Sequence, residues 1–389
     1  MDYTLIDSEE ALTQFTTHHR DVDWLAIDTE FIGENRYQTL LCLIQVGSAH
    51  GSFLIDTLKV GDISSFLQLV SDERITKITH AGENDYRLFY ELYGTLPRSI
   101  FDTQLAAGFI QPDYPVSFQK LLDKELKVKL GKDQAISQWD RRPLSNKQIQ
   151  YALDDIRYLK KLSERQIKKL ERSGRLEWAH DEFAKWELES HYKDDEHREF
   201  FRNKMLGRMN PESLVMLMRL YTWRDREAKR RDLPREKVLA ERIITDVAIL
   251  IPSGIQTLFH NRRLPEKTIS RHKDLFERLY AQPATEEEEA VIRRIPKVAR
   301  TDKEQDMAAD LLFWLIRHKC NQLNIAPGLL LRGSSLKKLK TQPSYQASEL
   351  LSGWRKEVLG QTLSSWLENS YRIEVNQHPD GFGIQIRTP

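Results

Sequence analysis

The sequence predicts an α/β layered domain over roughly the first 160 residues, followed by all-α domains. Three runs rich in apolar and β-branched residues, Trp24–Phe31, Leu40–Val46 and Ser52–Asp56, are separated by brief polar connections. Connections this short favour antiparallel neighbours, so the runs predict a three-stranded meander. Strand and helix patterns then alternate, and after Arg172 strand patterns almost vanish until the last twenty residues.

The rest of the first domain follows from hydrophobic periodicity. Short apolar runs predict strands, and apolar residues that recur every three or four positions predict helices. In chain order these are helix Ile63–Val70, strand Ile75–Thr79, helix Asp85–Tyr93, strand Ile100–Phe101, helical segments between Thr103 and Leu126, and one long helix from Ser145 to about Leu170.

The chain after Arg172 predicts a charged helical bridge and then two helical blocks. Several short amphipathic helices, punctuated by prolines, are expected between Met205 and Ala281. The stretch QPATEEEEAVIRRIPK (282–297) predicts a linker, and a second block runs from Asp302 to about Glu368. The tail predicts a small hairpin that turns at HPDG.

Length and composition limit the class of protein. A chain of 389 residues exceeds the usual size of a single core, so two or three domains are expected. The net charge is +1, from 59 basic and 58 acidic residues, and local patches can still hold either sign. Cys42 and Cys320 are the only cysteines, which excludes a disulfide framework or a Cys-rich zinc site. With neither a signal-peptide pattern nor a membrane-spanning apolar run, we expect a cytoplasmic protein.

Two carboxylates lie in the first predicted strand, WLAIDTEFIG. Because residues i and i+2 of a strand point the same way, Asp28 and Glu30 project from one face. Two like charges this close raise a pKa unless a cation lies between them, and all-oxygen ligands suit Mg²⁺ or Mn²⁺. Alternatively, the strand ends at Ile27 and DTE forms a capped turn. This stretch alone leaves both interpretations open.

Two further acidic motifs follow. Asp85 lies on the apolar face of its predicted helix, although a first-turn acid that interacts with the helix dipole explains it as well. Tyr151 and Asp155 are four residues apart and therefore share a face of the long helix. The neighbouring Asp154 aligns with a polar stripe and is interpreted as a surface acid.

In chain order the motifs are Asp-x-Glu on a strand, Asp at a helix start and Tyr-x-x-x-Asp on a later helix. This pattern resembles the DEDD exonucleases, and the Tyr–Asp spacing is that of their DEDDy branch. The segments DTEF, LCLIQV, THAGENDYRLF, FDTQLAAGF and WDRRPLSNKQIQYALDD are similar to the ribonuclease D family over roughly residues 24–160. The resemblance implies a ribonuclease H-like mixed sheet and a metal-dependent 3′→5′ exoribonuclease. Such an enzyme would trim tRNA precursors and other small structured RNAs and release nucleoside 5′-monophosphates.

The resemblance also implies roles for the motif residues. Two divalent ions, Mg²⁺ or Mn²⁺, would activate a water and stabilise the leaving oxygen. Asp28 would bridge both ions, Glu30 and Asp155 would help to hold the ion on the nucleophile side, and Asp85 would ligate directly or through water on the other side. Tyr151 would orient the attacking water.

Six residues are weaker candidates for RNA contacts, and three of them have a structural alternative of their own. Core packing explains Phe31, a buried hydrogen-bonded position explains His80, and pairing with a local acid explains Arg142. The other three are basic residues of the helical blocks, Arg230, Lys337 and Lys338.

The helical region resembles HRDC domains, through LYTWRDREAKRRDLPREKVLAERIITDVAILIPSGIQTL and, more weakly, NIAPGLLLRGSSLKKL. Such modules would hold nucleic acid near the active site. In the first, basic residues between Arg224 and Arg235 alternate with acids, so phosphate contacts and an ion-paired helix both remain open. The predicted division is an exonuclease domain with a helical extension at 1–200, HRDC domain 1 at 206–286, an HRDC-like domain 2 at 300–370 and a tail at 371–389.

Two rival functions remain compatible with these motifs. A DNA 3′→5′ exonuclease of the same branch would differ in its contacts to the 2′-hydroxyl, which a sequence does not reveal. An inactive nucleic-acid-binding protein is disfavoured because all four acids and the tyrosine are present. The G-x-x-x-x-G-K-[ST] pattern does not occur, so no ATP requirement is expected, and nothing demands more than a monomer.

Overall fold

A mixed sheet forms the framework of the first domain. The computed structural model describes residues 2–131, 138–193, 195–295, 303–330, 352–359, 372–378 and 381–387. The strands of this sheet are β1 (Thr4–Ile6), β2 (Trp24–Ile32), β3 (Leu40–Ser48), β4 (Gly51–Ile55), β5 (Thr76–Thr79) and β6 (Ile100–Asp102), in the spatial order β1-β4-β3-β2-β5-β6. Strands β2, β3 and β4 pair antiparallel, which confirms the predicted meander, and β5 and β6 continue the sheet parallel to β2.

The helices of the first domain surround a continuous apolar cluster that includes Leu25, Ile27 and Ile44 of the central strands. Sequence patterns did not indicate β1 or the helix after it. The helices are α1 (Glu9–His18), α2 (Thr57–Val60), α3 (Ser64–Ser71), α4 (Glu83–Tyr93), α5 (Thr103–Gly108), α6 (Phe118–Leu126), α7 (Asn146–Arg157), α8 (Leu159–Arg172), α9 (Leu176–Phe183) and α10 (Glu189–Tyr192), with a 3-10 turn at Ala184–Glu187. Helix α11 (Arg198–Arg202) follows and contributes Phe200 to the core of the next region.

The single long helix predicted from Ser145 is wrong, because Tyr158 separates α7 from α8. Helix α7 packs against β2 and β3, whereas α8 packs against α5 and β5. Neither Gly nor Pro marks the break, so the different packing partners explain it better than local propensity. A capping box fixes the start of α7: the Ser145 N–H donates to Gln148 Oε1 at 2.9 Å, and the Gln148 N–H donates to Ser145 Oγ at 3.3 Å.

The following helical region has its own hydrophobic core, which includes Leu217, Ile244 and Phe276. Its helices are α12 (Pro211–Arg231), α13 (Arg235–Val238), α14 (Glu241–Leu250), α15 (Ile255–His260), α16 (Glu266–Ala281) and α17 (Glu286–Arg293), with 3-10 turns at Leu206–Arg208 and Ile251–Ser253. The prediction of short helices is wrong for α12, which has 21 residues.

The linker predicted at 282–297 is also wrong, because α17 occupies half of it. A capping box at Thr285 starts this helix, and Val291 and Ile292 pack against the core of the helical region. Its Glu288 binds the Nε of Arg219 at 2.6 Å. The run of glutamates that resembles a solvated linker therefore forms the first turn of a packed helix, where the helix dipole favours negative charge.

Residues after 303 return to the core of the first domain. Helices α18 (Lys303–Gln322) and α19 (Pro327–Leu330) are followed by a helical segment at 353–359. Ile316, Cys320 and Trp354 belong to the same apolar cluster as the sheet, and the Ala326 N–H donates to the Gly108 carbonyl at 2.7 Å. The described part of the second helical block therefore packs against the first domain.

The tail contains β7 (Arg372–His378) and β8 (Gly381–Arg387), which pair antiparallel and confirm the predicted hairpin. Among the helices that the structure describes, none combines the length and apolar character that a bilayer crossing requires.

A buried carboxylate ties the C-terminal segment to the first domain. Glu182 on α9 is 1% exposed, and its Oε1 accepts hydrogen bonds from Trp354 Nε1 at 2.8 Å and Arg355 Nη1 at 2.6 Å. Burial raises the pKa of Glu182, but hydrogen bonds from Arg355, Lys185 and Trp354 outweigh it and lower the pKa to about 2. Its contribution to stability is therefore fully present above the ordinary pKa of 4.5 and is lost as the pH falls towards 2.

We expect Glu182→Gln to lower the free energy of unfolding by about 3 kcal/mol at neutral pH, because it leaves Arg355 buried without its counter-charge. Urea denaturation followed by tryptophan fluorescence measures the change. Glu177→Gln on the same helix is the control, since the Glu177 side chain is 87% exposed and its loss should change stability by less than about 0.5 kcal/mol. Equal stability of the two variants would contradict the role of Glu182.

Candidate active site

The predicted carboxylates converge from three elements. Asp28 and Glu30 lie on β2, Asp85 lies in the first turn of α4, and Asp155 lies on α7. One ligand oxygen from each of Asp28, Glu30 and Asp155 lies within 4.8 Å of the others. Asp85 lies outside this trio but close enough to raise the pKa of both Asp28 and Glu30 by charge repulsion.

The pairing of β2 with β3 sets the direction of the first two acids. Asp28 lies opposite Gln45, and the register shifts between Glu30 and Phe31. Such a bulge redirects the side chains beside it. The fully buried Gln45 donates from Nε2 to Glu30 Oε1 at 3.3 Å. The amide thus holds one oxygen of Glu30 and leaves the other to the acidic cluster.

Burial and mutual repulsion oppose ionisation of this cluster. Burial, followed by repulsion from Asp155 and Asp85, raises the pKa of Glu30 to about 9. Burial, followed by repulsion from the other three acids, raises the pKa of Asp28 well above its ordinary value. Burial raises the pKa of Asp85 to about 7, against the opposing hydrogen bond from Thr29. Closely spaced carboxylate oxygens that resist ionisation fit divalent cations with a preference for oxygen ligands.

Thr29 is a site residue that the sequence patterns missed. Strand alternation places it on the face opposite Asp28 and Glu30, yet its hydroxyl donates to Asp85 Oδ1. The alternation of side chains predicts only which face of β2 a residue lies on. It does not predict which side chains of a neighbouring helix contact that face. The sequence does show a hydroxyl residue between Asp28 and Glu30. Only the packing of α4 against β2 reveals that this hydroxyl binds Asp85.

Asp102 supports the helix that carries Asp85. It is the N-cap of α5 and accepts from the Leu105 N–H at 2.8 Å. The same carboxylate accepts from the Gly82 N–H at 2.9 Å and from the Thr79 hydroxyl at 3.1 Å. A Cβ at position 82 would lie 2.5 Å from the Thr79 hydroxyl oxygen, so glycine is needed at this close approach. Asp102 thereby joins the end of β6 to the start of α4.

Helix α7 presents Tyr151 and Asp155 one turn apart, both half-buried. The Tyr151 ring lies 6.2 Å from the ring of the buried Trp139, measured between centroids. Asp154 accepts from Gln150 Nε2 at 2.7 Å and from Arg157 Nη1 at 3.3 Å. These bonds confirm that Asp154 belongs to the polar stripe of the helix.

Arg142 is part of the framework, and its proposed contact with a phosphate is wrong. Its guanidinium donates to both oxygens of Asp56 at 2.6 and 2.7 Å, and to the carbonyls of Trp139, Arg141 and Cys42. These bonds occupy all five N–H groups, so none remains for a phosphate. The alternative of pairing with a local acid is correct.

The structure separates the remaining candidates for RNA contact. His80 bonds through Nδ1 to Thr103 Oγ1 at 2.9 Å and through Nε2 to the Val116 carbonyl at 3.1 Å. Both ring nitrogens are occupied, which favours its structural alternative. Phe31, next to Glu30, is 41% exposed and remains a candidate. Lys337 and Lys338 lie outside the described residues.

The basic cluster of α12 and α13 is largely ion-paired. Arg230 and Arg231 contact Glu227 at 2.7 and 3.9 Å, and Arg224 contacts Glu199 and Glu241 at 3.2 and 3.1 Å. These pairs match the ion-paired alternative. Arg230 keeps a side chain that is 70% exposed, and since exposed pairs contribute only about 0–1 kcal/mol, a phosphate could replace its partner.

Comparisons with known proteins identify the family. A family model described as a 3′-5′ exonuclease matches residues 3–171. A ribonuclease D of Sphingobium indicum is 31% identical over 378 residues, which are 96% of this chain and 96% of the relative. A ribonuclease D of Pseudomonas paraeruginosa is also 31% identical, over 94% of this chain and 97% of the relative.

A solved structure agrees with these relatives. Escherichia coli RNase D, described as an exoribonuclease involved in structured RNA processing, superimposes with a TM-score of 0.79 and 26% sequence identity, covering 95% of this chain and 99% of that chain. The similarity extends across the sheet domain and the helical region, and it favours the ribonuclease over the DNA nuclease and the inactive binding protein. The chain therefore belongs to the ribonuclease D family and is a 3′→5′ exoribonuclease of the kind that uses divalent metal ions.

Proposed function

We propose that the protein removes nucleotides one at a time from RNA 3′ ends, with Asp28, Glu30, Asp85 and Asp155 as the ligands of two divalent ions, Mg²⁺ or Mn²⁺. The observation that carries this proposal is the convergence of Asp28, Glu30 and Asp155 within 4.8 Å. When bound, such ions stabilise the negative charge that develops during in-line displacement at phosphorus. Four ionised carboxylates balance the charge of two divalent ions, which explains why a buried site tolerates four acids.

The protein side chains position the reactants. Tyr151, one turn from Asp155, hydrogen-bonds the attacking water and orients it towards the terminal phosphodiester. The water oxygen bonds to phosphorus, the bond from phosphorus to the 3′ oxygen breaks, and that oxygen takes up a proton. The products are a nucleoside 5′-monophosphate and an RNA one nucleotide shorter. The exposed ring of Phe31 packs against the terminal base.

The proposed substrates are tRNA precursors and other small structured RNAs. Their support is the similarity over the full chain to an enzyme described as acting in structured RNA processing. We assign the helical region to HRDC modules at 206–286 and 300–370, which hold the RNA behind its 3′ end. The separate core of the first module supports its assignment, whereas the described residues of 300–370 share the apolar cluster of the sheet.

The purified protein should convert a 5′-labelled, 3′-extended tRNA to a ladder of shorter products with Mg²⁺, and EDTA should stop the reaction. Asp28→Asn and Asp155→Asn should each lower the rate at least about a hundredfold, because each removes charge from the metal site, while RNA binding persists. Gel electrophoresis measures the ladder, and filter binding measures affinity.

The control for these variants is Asp154→Asn, because Asp154 bonds Gln150 and Arg157 on its own helix. It should retain the activity of the unsubstituted protein. The site variants should not lower the unfolding temperature of the metal-free protein, because each relieves repulsion in the cluster. Unchanged trimming by Asp155→Asn would contradict the ligand assignment, and equal trimming of single-stranded DNA would contradict the RNA preference.

We expect Mg²⁺ to bind more tightly as the pH rises from about 6 to about 9. Glu30, with a pKa of about 9, and Asp85, with a pKa of about 7, must lose protons to bind metal. Because the folded metal-free protein keeps protons that the unfolded chain releases, its stability falls over this range. The rise in unfolding temperature on adding Mg²⁺ should therefore grow with pH, and thermal unfolding in matched buffers measures it. A rise that shrinks with pH would contradict the prediction.

Thr29→Val should lower kcat about tenfold and raise the Mg²⁺ concentration needed for half-maximal rate. The valine keeps the shape but removes the hydroxyl that binds Asp85, and a hydrogen bond to a charged group contributes about 1.5–3 kcal/mol. Steady-state kinetics under Mg²⁺ titration measure both effects. Thr29→Ser is the control and should restore the Mg²⁺ dependence, whereas a normal Mg²⁺ dependence in Thr29→Val would show that the bond is dispensable.

A further inference from the structure

The loop between β2 and β3 connects the active site to the helical region. Residues 33–39 link the strand of Asp28 and Glu30 to the strand of Gln45, and the loop lies against the corner between α12 and α13. We call this set of contacts the hairpin junction. Its members are Asn35, Arg36 and Tyr37 of the loop, and Asp225, Asp232, Arg235 and Lys237 of the helical region.

Tyr37 is the centre of the hairpin junction. Its hydroxyl donates to Asp225 Oδ1 at 2.9 Å, and its ring centroid lies 4.7 Å from the guanidinium carbon of Arg235. Arg235 donates from Nε to Asp225 at 2.6 Å and from Nη2 to the Tyr37 hydroxyl at 3.2 Å. One aromatic side chain thus joins a cation–π contact to charge-assisted hydrogen bonds, which are among the stronger polar contacts.

Contacts on either side of Tyr37 restrain the rest of the loop. The Tyr37 N–H donates to Asp232 Oδ1 at 3.2 Å, and Lys237 Nζ donates to Asn35 Oδ1. Arg36 lies 3.8 Å from Asp232 in an exposed pair, which contributes little alone. Backbone and side chains are both engaged, so the loop and the α12–α13 corner are held in one relative position.

The hairpin junction is close to the chemistry along the chain. Tyr37 lies seven positions after Glu30, and a fully extended chain over seven positions spans at most about 25 Å. A structured RNA with a 3′ tail spans this distance from the carboxylates, so it can contact the active site and the helical region together. Arg235 donates hydrogen bonds to Asp225 and Tyr37. The α12–α13 corner therefore affects RNA binding more through the position of the helices than through an unpaired positive charge.

We propose that the hairpin junction sets the position of the helical region relative to the active site, and that Tyr37 thereby determines the preference for long RNA over very short RNA. Tyr37 is a positioning residue, since it acts through the placement of α12 and α13. The inference rests on the proposed function for the carboxylate site and adds a determinant of substrate length to it.

The test compares Tyr37→Ala and Tyr37→Phe on two substrates, a dinucleotide and a stem–loop RNA with a 3′ tail. Tyr37→Ala should raise KM for the stem–loop about tenfold, because it removes both the hydrogen bond to a charged group and the cation–π contact with Arg235, and leave kcat unchanged. Both kinetic constants for the dinucleotide should stay unchanged. Tyr37→Phe keeps the ring under Arg235 and should show a smaller change in the same direction. Tyr93→Ala is the control, because Tyr93 ends α4 and is 43% exposed.

Hydrogen exchange measured by mass spectrometry shows whether the loop has been released. The amides of residues 33–39 should exchange faster in Tyr37→Ala than in the unsubstituted protein or in Tyr93→Ala. Faster exchange with an unchanged KM for the stem–loop would overturn the inference, as would equal losses on both substrates or unchanged exchange. Failure of the proposed function would look different, because the unsubstituted protein would then show no metal-dependent trimming of either substrate.

Discussion

The repulsion among four closely spaced carboxylates is the constraint on which the arrangement of the first domain depends. Asp85 and Asp155 raise the pKa of both Asp28 and Glu30 by charge repulsion, so the cluster destabilises the metal-free fold and must be held by elements anchored elsewhere. The β2–β3 ladder anchors the first two acids, and the capping box of α7 anchors the last. A cluster that repels itself can keep a defined geometry only on elements of this rigidity, since flexible loops would let the charges separate.

Polar side chains around the acidic cluster form hydrogen bonds that fix the neighbouring helices and strands, and these bonds leave them few groups for substrate contacts. Arg142 links the turn before α7 to Asp56 and to the Cys42 carbonyl of β3. Asp102 links β6 to the start of α4 through the Gly82 N–H. Both residues stand in family-like motifs, yet their donors and acceptors are occupied inside the fold. Their effect on catalysis is therefore the placement of α7 and α4, the two helices that carry Asp155 and Asp85.

The sequence predicted the meander, the order of the acidic motifs and the helical character of the second half, because each rests on periodicity or spacing within one segment. It did not predict the break at Tyr158, where neither Gly nor Pro appears and packing partners decide. It did not predict the bond from Thr29 to Asp85, which joins residues 56 positions apart. It assigned 282–297 to a linker because a run of glutamates resembles solvent-exposed chain, whereas contacts with Arg219 and the apolar core make it a helix.

In the helical region, the number of basic residues in the sequence overstates the positive charge available at the surface, because several of these residues form ion pairs within the fold. Arg224 is 2% exposed and contacts Glu199 and Glu241, and Arg235 is engaged by Asp225 and Tyr37. Guanidinium groups neutralised within the fold release few counterions on RNA binding, so they add less affinity than their number implies. We therefore attribute the proposed preference for long RNA to where these helices are held rather than to the charge that they carry. The hairpin junction begins five positions after Glu30, so in our proposal the hairpin that carries Asp28 and Glu30 also orients the helical region.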